Sequence, residues 1–317
     1  MKLKIILFIY LLSFVSTEVI FPGIFGDDLK QLIVNNYKTS TTQGYTDARD
    51  IMYSEIDIKS NNQLSGVYSG YTITLDLSQD PSTNAYEQGI NCEHTWPQSL
   101  GAGSEPMKSD MHHLFPTKSN VNSSRGNDPF DEINDGLTDK WYRNDYYIES
   151  IPSEFINEYA EKYNPPNQDD ERFEPREEQK GNTARAMAYF YTMYSDVADN
   201  DFWEIQKETL FNWNFSDQPD IAEIDRTWAI ASYQQNKPNP FVIDPTLFDR
   251  IYFWQDILTG DINIDHSLNV LDLVQMINII VDQETYSDEF LYTIDANQDY
   301  DFNVLDIVIF VQIIVGE

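Results

Sequence analysis

Residues 91–99 have the sequence NCEHTWPQS, and residues 109–128 have the sequence SDMHHLFPTKSNVNSSRGND. Three of the four histidines of the chain lie in these two segments: His94, His112 and His113. Residues 91–130 hold four acidic and three basic residues, a net charge of −1 in a chain whose net charge is −33. An anionic substrate therefore meets little repulsion in this part of the chain.

The chain as a whole is strongly acidic. It has 317 residues, with 53 Asp and Glu against 20 Lys and Arg. This charge excludes a general attraction to the phosphates of nucleic acids, so such a substrate needs a local site or a screening metal ion. Hydrophobic residues make up 41% of the chain, which is enough for a large core. The single cysteine, Cys92, excludes an internal disulfide framework and a cysteine-rich zinc site.

Residues 1–17 have the pattern of a secretory signal peptide. Two lysines precede an apolar run at residues 5–15, and small hydroxyl residues follow it. This run is short for a bilayer span, which makes an N-terminal anchor helix the weaker alternative. No later segment reaches the length of a membrane span. We therefore expect a secreted protein, extracellular or associated with the cell surface, whose mature chain does not cross a membrane.

The composition changes near residues 253–259. Residues 251–317 contain 13 acidic residues and no Lys or Arg. Within this acidic part, residues 261–272 (DINIDHSLNVLD) and 295–306 (DANQDYDFNVLD) form a repeat, and an apolar run follows each copy. Each copy predicts an acidic loop that enters a helix. We therefore expect three parts: a signal peptide at residues 1–17, a first domain at 18–256 and a C-terminal module at 257–317.

The first domain combines predicted strands and helices, which is the pattern of an α+β fold. Residues 64–75 are rich in Val, Ile, Thr and Tyr between turn residues, and they predict a strand or a hairpin. Residues 183–194 and 221–235 predict helices, the first with Asn182 as its N-cap. Residues 161–180 are rich in charge and contain prolines, so they predict a surface loop.

The two opening segments resemble the endonuclease I family of secreted bacterial nucleases, especially its extracellular Bacillus-type members. The resemblance continues at residues 173–175 (FEP), 180–186 (KGNTARA) and 239–245 (NPFVIDP), and it covers roughly residues 27–253. This family belongs to the ββα-metal, or His-Me finger, nucleases. The resemblance implies an α+β first domain with a ββα-metal core. It also implies a secreted, metal-dependent endonuclease that hydrolyses DNA without sequence specificity, with RNA left open as a second substrate.

The resemblance further implies roles for individual residues. His94 is the general base that activates water. Glu93 and Asn122 are oxygen ligands for Mg²⁺ or another divalent cation. Glu93 and His94 are neighbours in a predicted strand, where successive side chains point to opposite faces, so they share a site only at a strand end. Pro97 favours such an end.

The cation that binds the substrate phosphate is an open question in the sequence. Better-studied members of the family carry an arginine for this purpose on a longer insert, whereas residues 99–109 contain none here. Lys108 and Arg125 are the two candidates. Arg125 is expected to join His94 as a catalytic residue, with bracing of the helix as its alternative role. Three further polar residues are expected to shape the site or to contact the substrate: Asp110, His112 and His113.

The C-terminal repeats place oxygen-bearing residues at positions 1, 3, 5, 7, 9 and 12 of two loops, which is the spacing of an EF-hand calcium loop. The residues of the first loop are Asp261, Asn263, Asp265, Ser267, Asn269 and Asp272. Those of the second loop are Asp295, Asn297, Asp299, Asp301, Asn303 and Asp306. Position 7 would contribute its backbone carbonyl. The sequence therefore predicts one Ca²⁺ in each loop, and a solvated acidic tail is the alternative.

Two such loops, each followed by one helix, resemble a type I dockerin. This resemblance implies a small all-α, Ca²⁺-binding module and a cohesin-like protein or a cell-surface partner. Two departures weaken the match. His266 and Tyr300 occupy position 6, where glycine is usual, and Val-Leu occupies positions 10 and 11, where recognition residues are usually polar.

Two other classes of function compete with the enzyme. One is a catalytically inactive nuclease-fold binding protein that docks to a partner through its C-terminal module. The other is a Ca²⁺-dependent surface protein for which the first domain is only cargo. The intact Glu93, His94 and Asn122 favour the enzyme, whose partner is then a nucleic acid substrate.

Overall fold

The computed structural model describes residues 19–256, 259–282, 290, 293–297 and 301–316. The signal peptide predicted at residues 1–17 and the ligand predicted at Asp299 lie outside these residues. We refer to residues 19–256 as the main body and to the later described residues as the C-terminal repeats. Across the described residues, no helix combines the length and the apolar character that crossing a bilayer requires.

The main body is mixed α and β, as predicted. Its eight short strands, β1 to β8, are Gln63–Ser65, Thr72–Thr74, Ile90–His94, Leu114–Lys118, Lys140–Arg143, Tyr146–Ile148, Ala160–Tyr163 and Arg172–Glu174. β1 pairs with β2, β3 pairs with β4, and the other four form one sheet in the order β6-β5-β7-β8. Every pairing between these strands is antiparallel. β1 and β2 confirm the hairpin predicted at residues 64–75.

The helices of the main body, α1 to α10, are Gly26–Tyr37, Tyr45–Ile51, Pro81–Glu87, Ser119–Arg125, Lys180–Met193, Asn200–Glu204, Lys207–Ser216, Ile221–Tyr233, Pro240–Ile243 and Leu247–Tyr252. α8 confirms the helix predicted at residues 221–235. α5 confirms the helix predicted at residues 183–194, but it begins earlier, at Lys180. The N-cap predicted at Asn182 is therefore wrong, because Asn182 lies inside α5 and accepts a hydrogen bond from Arg185 one turn later.

Helix α5 lies at the centre of the main body. Twelve of its 14 residues are buried, so it is a core helix rather than a surface helix. Its Phe190 ring stacks on the Trp96 ring, with the centroids 5.0 Å apart. A buried aromatic pair of this kind contributes about 0.5–1.5 kcal/mol beyond the burial of its area. Since Trp96 follows β3 closely, this contact fixes the end of β3 to the core.

Strands β3 and β4 form a hairpin, and α4 follows β4 directly. The register places Glu93 opposite Phe115 and His94 opposite Leu114. β3 ends at His94, three residues before Pro97, which cannot donate a hydrogen bond to a strand partner. The two strands and the helix together form a β-β-α unit, as the resemblance to the nuclease family implies.

The surface loop predicted at residues 161–180 holds for residues 164–170, six of which are exposed, but it is wrong for the strands on either side of them. This segment supplies most of β7 and all of β8. Its last residue, Lys180, is buried, with Nζ 2.7–3.0 Å from carboxylate oxygens of three glutamates: Glu132, Glu174 and Glu177. Part of the charge of the segment therefore belongs to a network of ion pairs around the buried Lys180, which composition cannot distinguish from a solvated loop.

The C-terminal repeats contain helices α11 (Val270–Asp282) and α12 (Val304–Val315), and they pack on the main body. Phe25, just before α1, lies in their apolar cluster, with its ring centroid 5.6 Å from that of Phe290. His266, at φ +61°, packs edge-on against Phe215 with the centroids 4.6 Å apart, and its Nε2 lies 3.7 Å from Asp249 Oδ1. His266, which occupies position 6 of the first loop in place of the usual glycine, therefore contacts the main body.

Candidate active site

Glu93 lies on the face of β3 that α4 covers. Its side chain is only 2% exposed. Oε1 accepts a hydrogen bond from the Tyr68 hydroxyl at 2.9 Å and lies 3.5 Å from Arg125 Nη1. Burial raises the pKa of Glu93 to about 7, although Arg125 and Tyr68 act in the opposite direction. A cation bound nearby would favour the charged form of this carboxylate.

Asn122 lies on α4, against the same part of β3. Its amide nitrogen donates to Asn91 Oδ1 at 2.9 Å and to the Cys92 carbonyl at 3.1 Å. These two acceptors fix the orientation of the amide and direct its Oδ1 away from them. Both predicted ligands, Glu93 and Asn122, thus lie where β3 packs on α4. Carboxylate and amide oxygens are the donors that Mg²⁺ prefers, so these residues fit a divalent cation.

The imidazole of His94 lies on the other face of β3, next to α2. Its ring centroid is 5.3 Å from that of Tyr45 and 5.5 Å from that of His113. Nε2 lies 3.0 Å from the Lys108 carbonyl, which only accepts hydrogen bonds, so Nε2 carries the proton and Nδ1 the lone pair. The amide nitrogen of the exposed Gln98 lies 3.3 Å from Nδ1. The basic nitrogen therefore faces the solvent side of the ring.

The electrostatic surroundings of His94 keep its imidazole neutral. Burial lowers the pKa of His94 to about 3, and the adjacent His113 acts in the same direction. A neutral ring is the form that can accept a proton, and an anionic phosphate beside it would raise this pKa again. Glu93 and His94 point to opposite faces, as strand alternation requires. They are linked at the strand end, where Arg125 Nη1 approaches Glu93 Oε1 at 3.5 Å and donates to the His94 carbonyl at 3.4 Å.

Arg125 is fully buried between α4 and the end of β3. Its Nη2 donates to the Thr95 carbonyl at 2.8 Å, and its Nη1 also reaches the Gly126 carbonyl at 3.3 Å. The centre of its guanidinium lies 4.6 Å from the centroid of the Phe130 ring. These contacts match bracing of the helix, which is one of the two roles that the sequence left open.

Asp110 is a buried acceptor beneath the hairpin. Its Oδ2 accepts hydrogen bonds from the hydroxyls of Tyr189 at 2.8 Å and Tyr194 at 2.7 Å. Its Oδ1 accepts from the Gln234 amide at 2.8 Å and from the backbone N–H of His112 at 3.1 Å. Because it accepts these four hydrogen bonds, Asp110 holds the turn before β4 in place and connects it to the core.

The two remaining histidines have different surroundings. His113 packs against the His94 ring, and its Nε2 lies 2.7 Å from the Met107 carbonyl. His112 faces another part of the core, with Nε2 2.8 Å from the Lys237 carbonyl. His113 therefore supports the position of His94, whereas His112 connects the hairpin to the segment after α8.

Three residues near the site were not predicted from the sequence. Tyr68 holds Glu93, and Tyr45 packs on the His94 ring, but both are remote from these residues in the chain, so no local pattern marks them. Gln98 lies in the same short segment as His94. Its side chain, four residues further on, could have been recognised as a partner of the imidazole.

Each C-terminal loop closes around the aspartate at its position 12. Asp272 accepts hydrogen bonds from the backbone N–H groups of Ile262 at 3.0 Å, Asn263 at 3.3 Å and Asn269 at 2.8 Å. Asp306 makes equivalent bonds in the second loop. The other predicted ligands among the described residues lie in the same loops: Asp261, Asp265, Ser267, Asp295, Asn297, Asp301 and Asn303. Oxygen donors gathered in this way fit Ca²⁺.

A third acidic group lies in the main body. Carboxylate oxygens of Glu132, Glu174 and Glu177 lie within 4.8 Å of one another. The ammonium of Lys180 contacts all three. Their charge is therefore compensated within the protein, and the group is a network of ion pairs.

The sequence of the chain is similar to those of known secreted nucleases. Over 244 residues the chain is 26% identical to the extracellular ribonuclease of Bacillus subtilis strain 168, an alignment that covers 72% of this chain and 75% of that protein. Over 178 residues it is 29% identical to the extracellular ribonuclease of Bacillus amyloliquefaciens, covering 51% and 53% respectively. The family model described as endonuclease I matches residues 25–246, which include the hairpin, α4 and α5. The chain therefore belongs to the endonuclease I family.

Proposed function

We propose that this protein is a secreted endonuclease that hydrolyses phosphodiester bonds with the help of a divalent cation. The observation that carries this proposal is the state of His94. Its Nε2 lies 3.0 Å from the Lys108 carbonyl, which places the proton on Nε2, and its Nδ1 lone pair lies 3.3 Å from the amide nitrogen of the exposed Gln98. This is the arrangement of a general base that takes a proton from water.

Glu93 and Asn122 would hold the cation between β3 and α4. A divalent ion bound there supplies positive charge at the phosphate and at the leaving oxygen. Tyr68 and Arg125 keep the Glu93 carboxylate in place, and the two hydrogen bonds of the Asn122 amide keep its oxygen oriented. His94 acts from the opposite face of the strand end.

The names of the two relatives favour RNA as a substrate. The sequence resemblance favours DNA. A site that acts on the phosphodiester group, and whose residues contact no base edge in this proposal, accepts both polymers with little sequence preference. We therefore propose activity on RNA and on DNA.

The repeats are proposed to bind Ca²⁺ and to dock to a cohesin-like protein or another cell-surface partner. The apolar residues at positions 10 and 11 of both loops support a protein partner, because all four are highly exposed: Val270, Leu271, Val304 and Leu305. Exposed apolar side chains in matching places on two helices commonly mark an interaction surface.

The test is digestion of RNA and plasmid DNA by the purified protein with Mg²⁺, with Ca²⁺ or with EDTA. We expect cleavage that EDTA abolishes and that His94→Ala lowers by about 10²-fold or more, because the base is lost. Tight binding without cleavage in every condition would favour the inactive binding protein. An undiminished rate in His94→Ala would exclude His94 as the base.

A further inference from the structure

A tyrosine with two cations against its ring lies beside His94. The centre of the Arg49 guanidinium is 4.6 Å from the centroid of the Tyr45 ring, and Lys108 Nζ is 5.2 Å from the same centroid. The Tyr45 ring lies 5.3 Å from the His94 ring. Tyr45, Arg49 and Lys108 are all partly exposed. Two positive groups are therefore accessible on the face of the hairpin that carries the general base.

Among the residues that the structure describes, no carboxylate oxygen lies within 4.0 Å of the charged groups of Arg49 and Lys108. Of the eight arginines, seven have a carboxylate oxygen within 4.0 Å. Arg49 has no such ion pair among the described residues, and neither has Lys108. Arg49 Nε instead donates to the Tyr45 carbonyl at 3.3 Å, one helical turn earlier. In a protein with 53 acidic residues, an arginine without a close carboxylate is unusual, and this one lies against the tyrosine that packs on the His94 ring.

The other candidate for the phosphate is already committed. Arg125 is fully buried, donates to three backbone carbonyls and lies close to Glu93. Reaching a substrate would require it to leave these acceptors unsatisfied, which costs about 1–3 kcal/mol for each buried group. Lys108, in contrast, needs no rearrangement of the core, and its own backbone carbonyl orients the His94 ring.

We propose that Arg49 and Lys108 together bind the phosphate of the nucleic acid substrate next to His94, and that Tyr45 holds the two cations in position. The proposal rests on the proposed nuclease function and identifies the part of the site that recognises the substrate. A guanidinium binds two phosphate oxygens at once, whereas the lysine acts as a point charge. The Tyr45 ring contributes a cation–π attraction that orders both side chains before the substrate arrives.

The experiment measures KM for RNA and DNA, and its dependence on salt, for Arg49→Gln, Lys108→Gln and the double variant. We expect each single change to raise KM about tenfold, because one charged hydrogen bond is lost. The slope of log KM against log salt concentration should fall by about 1 for each lost phosphate contact on duplex DNA. Arg49→Lys, which keeps the charge, should recover most of the salt slope.

Lys140→Gln is the matched control. Lys140 Nζ lies 5.1 Å from the Tyr147 ring centroid, so it has the same kind of contact, but it belongs to the four-stranded sheet. It should leave KM and the salt slope unchanged. Thermal melting of every variant checks that the fold is kept.

The outcomes separate this proposal from the nuclease function. If the wild type cleaves and the Arg49 and Lys108 variants keep its KM and salt slope, the proposal of the phosphate site is overturned, whereas the proposed nuclease function is retained. If the wild type does not cleave, fluorescence anisotropy with a labelled oligonucleotide takes the place of KM. A loss of the salt slope in the variants then supports the phosphate site without catalysis, and unchanged binding overturns it.

Discussion

The main body and the C-terminal repeats both bury carboxylates, but they compensate the negative charge differently. In the main body, four buried carboxylates have a cationic side chain as partner: Glu93 with Arg125, Glu174 with Lys180, Glu223 with Arg185 and Asp244 with Arg250. In the repeats, four buried aspartates occupy the two ends of the loops: Asp261, Asp272, Asp295 and Asp306. No Lys or Arg occurs after residue 250, so no cationic side chain of the repeats themselves can pair with them.

The difference shows where each part obtains its positive charge. For these four carboxylates, the main body supplies cationic side chains from its own sequence. In the first loop of the repeats, backbone N–H groups donate to Asp272, and the cation proposed for the loops would supply the positive charge. We therefore expect folding and metal binding to be coupled in the repeats.

The largest expected effect comes from breaking a buried pair in the main body. Arg185→Met leaves the Glu223 carboxylate buried without its cation, so we expect the free energy of unfolding to fall by about 3–5 kcal/mol. Urea denaturation followed by circular dichroism measures it. Arg143→Met is the matched control, because its partner Glu158 is largely exposed and the loss should stay below about 1 kcal/mol. Equal losses in the two variants would contradict the role assigned to burial.

The second effect concerns the repeats. Ca²⁺ at about 100 times its dissociation constant should stabilise them by about 2.7 kcal/mol, whereas the main body should respond little. Calorimetry of the full chain in Ca²⁺ and in EDTA separates the two transitions. Asp265→Asn, which removes one exposed charge from the first loop, should reduce the response to Ca²⁺. A repeat transition at the same temperature in Ca²⁺ and EDTA would remove the distinction between the two parts.

The third-largest expected effect concerns the proposed metal ligands of the main body. Burial raises the pKa of Glu93 to about 7 despite Arg125, and a divalent cation bound at Glu93 would favour its charged form. Glu93→Gln and Asn122→Ala should each raise the Mg²⁺ concentration for half-maximal activity about tenfold, or roughly 1.4 kcal/mol. Glu158→Gln, at the surface, is the control. Mg²⁺ titrations of the two site variants that overlay the wild type would rule out the ligand assignment.

The smallest effect depends on pH. Burial and the neighbouring Glu174 raise the pKa of Glu161 to about 8, and its hydrogen-bond donor is the Thr138 hydroxyl rather than a cation. The folded state therefore holds a proton that the unfolded state releases near pH 4.3, so stability falls as the pH rises towards 8. Glu161→Gln should lose this pH dependence. At pH 9 its free energy of unfolding should be higher than that of the wild type by about 1 kcal/mol. Parallel stability curves for the two proteins from pH 5 to 9 would contradict it.

The hairpin with α4 was implied by the resemblance to the endonuclease I family, whose motifs lie in two short segments of the chain. Pro97 follows the strand end closely, and Asn122 lies within the helix that follows β4. The strands within residues 161–180 could not be predicted from the charged composition of this segment, because charged residues such as Lys180 form ion pairs with residues that are distant in the chain, such as Glu132. The role of Arg125 could not be chosen from the sequence, since a buried and an exposed arginine look alike there. Arg49 was missed for the same reason, because only the fold brings α2 to His94.

Phe25 of the main body packs against the repeats, and His266 of the repeats packs against the main body. These contacts bear on how the protein would act when it is attached to a surface. An enzyme on a flexible linker can turn freely, and its effective concentration depends on the length of that linker. Here the repeats share an apolar cluster with the main body and make a side-chain contact at Asp249. A surface that bound the repeats, as proposed, would therefore also set the direction in which the proposed active site faces, and the approach of long polymers to His94 would depend on where the repeats are attached.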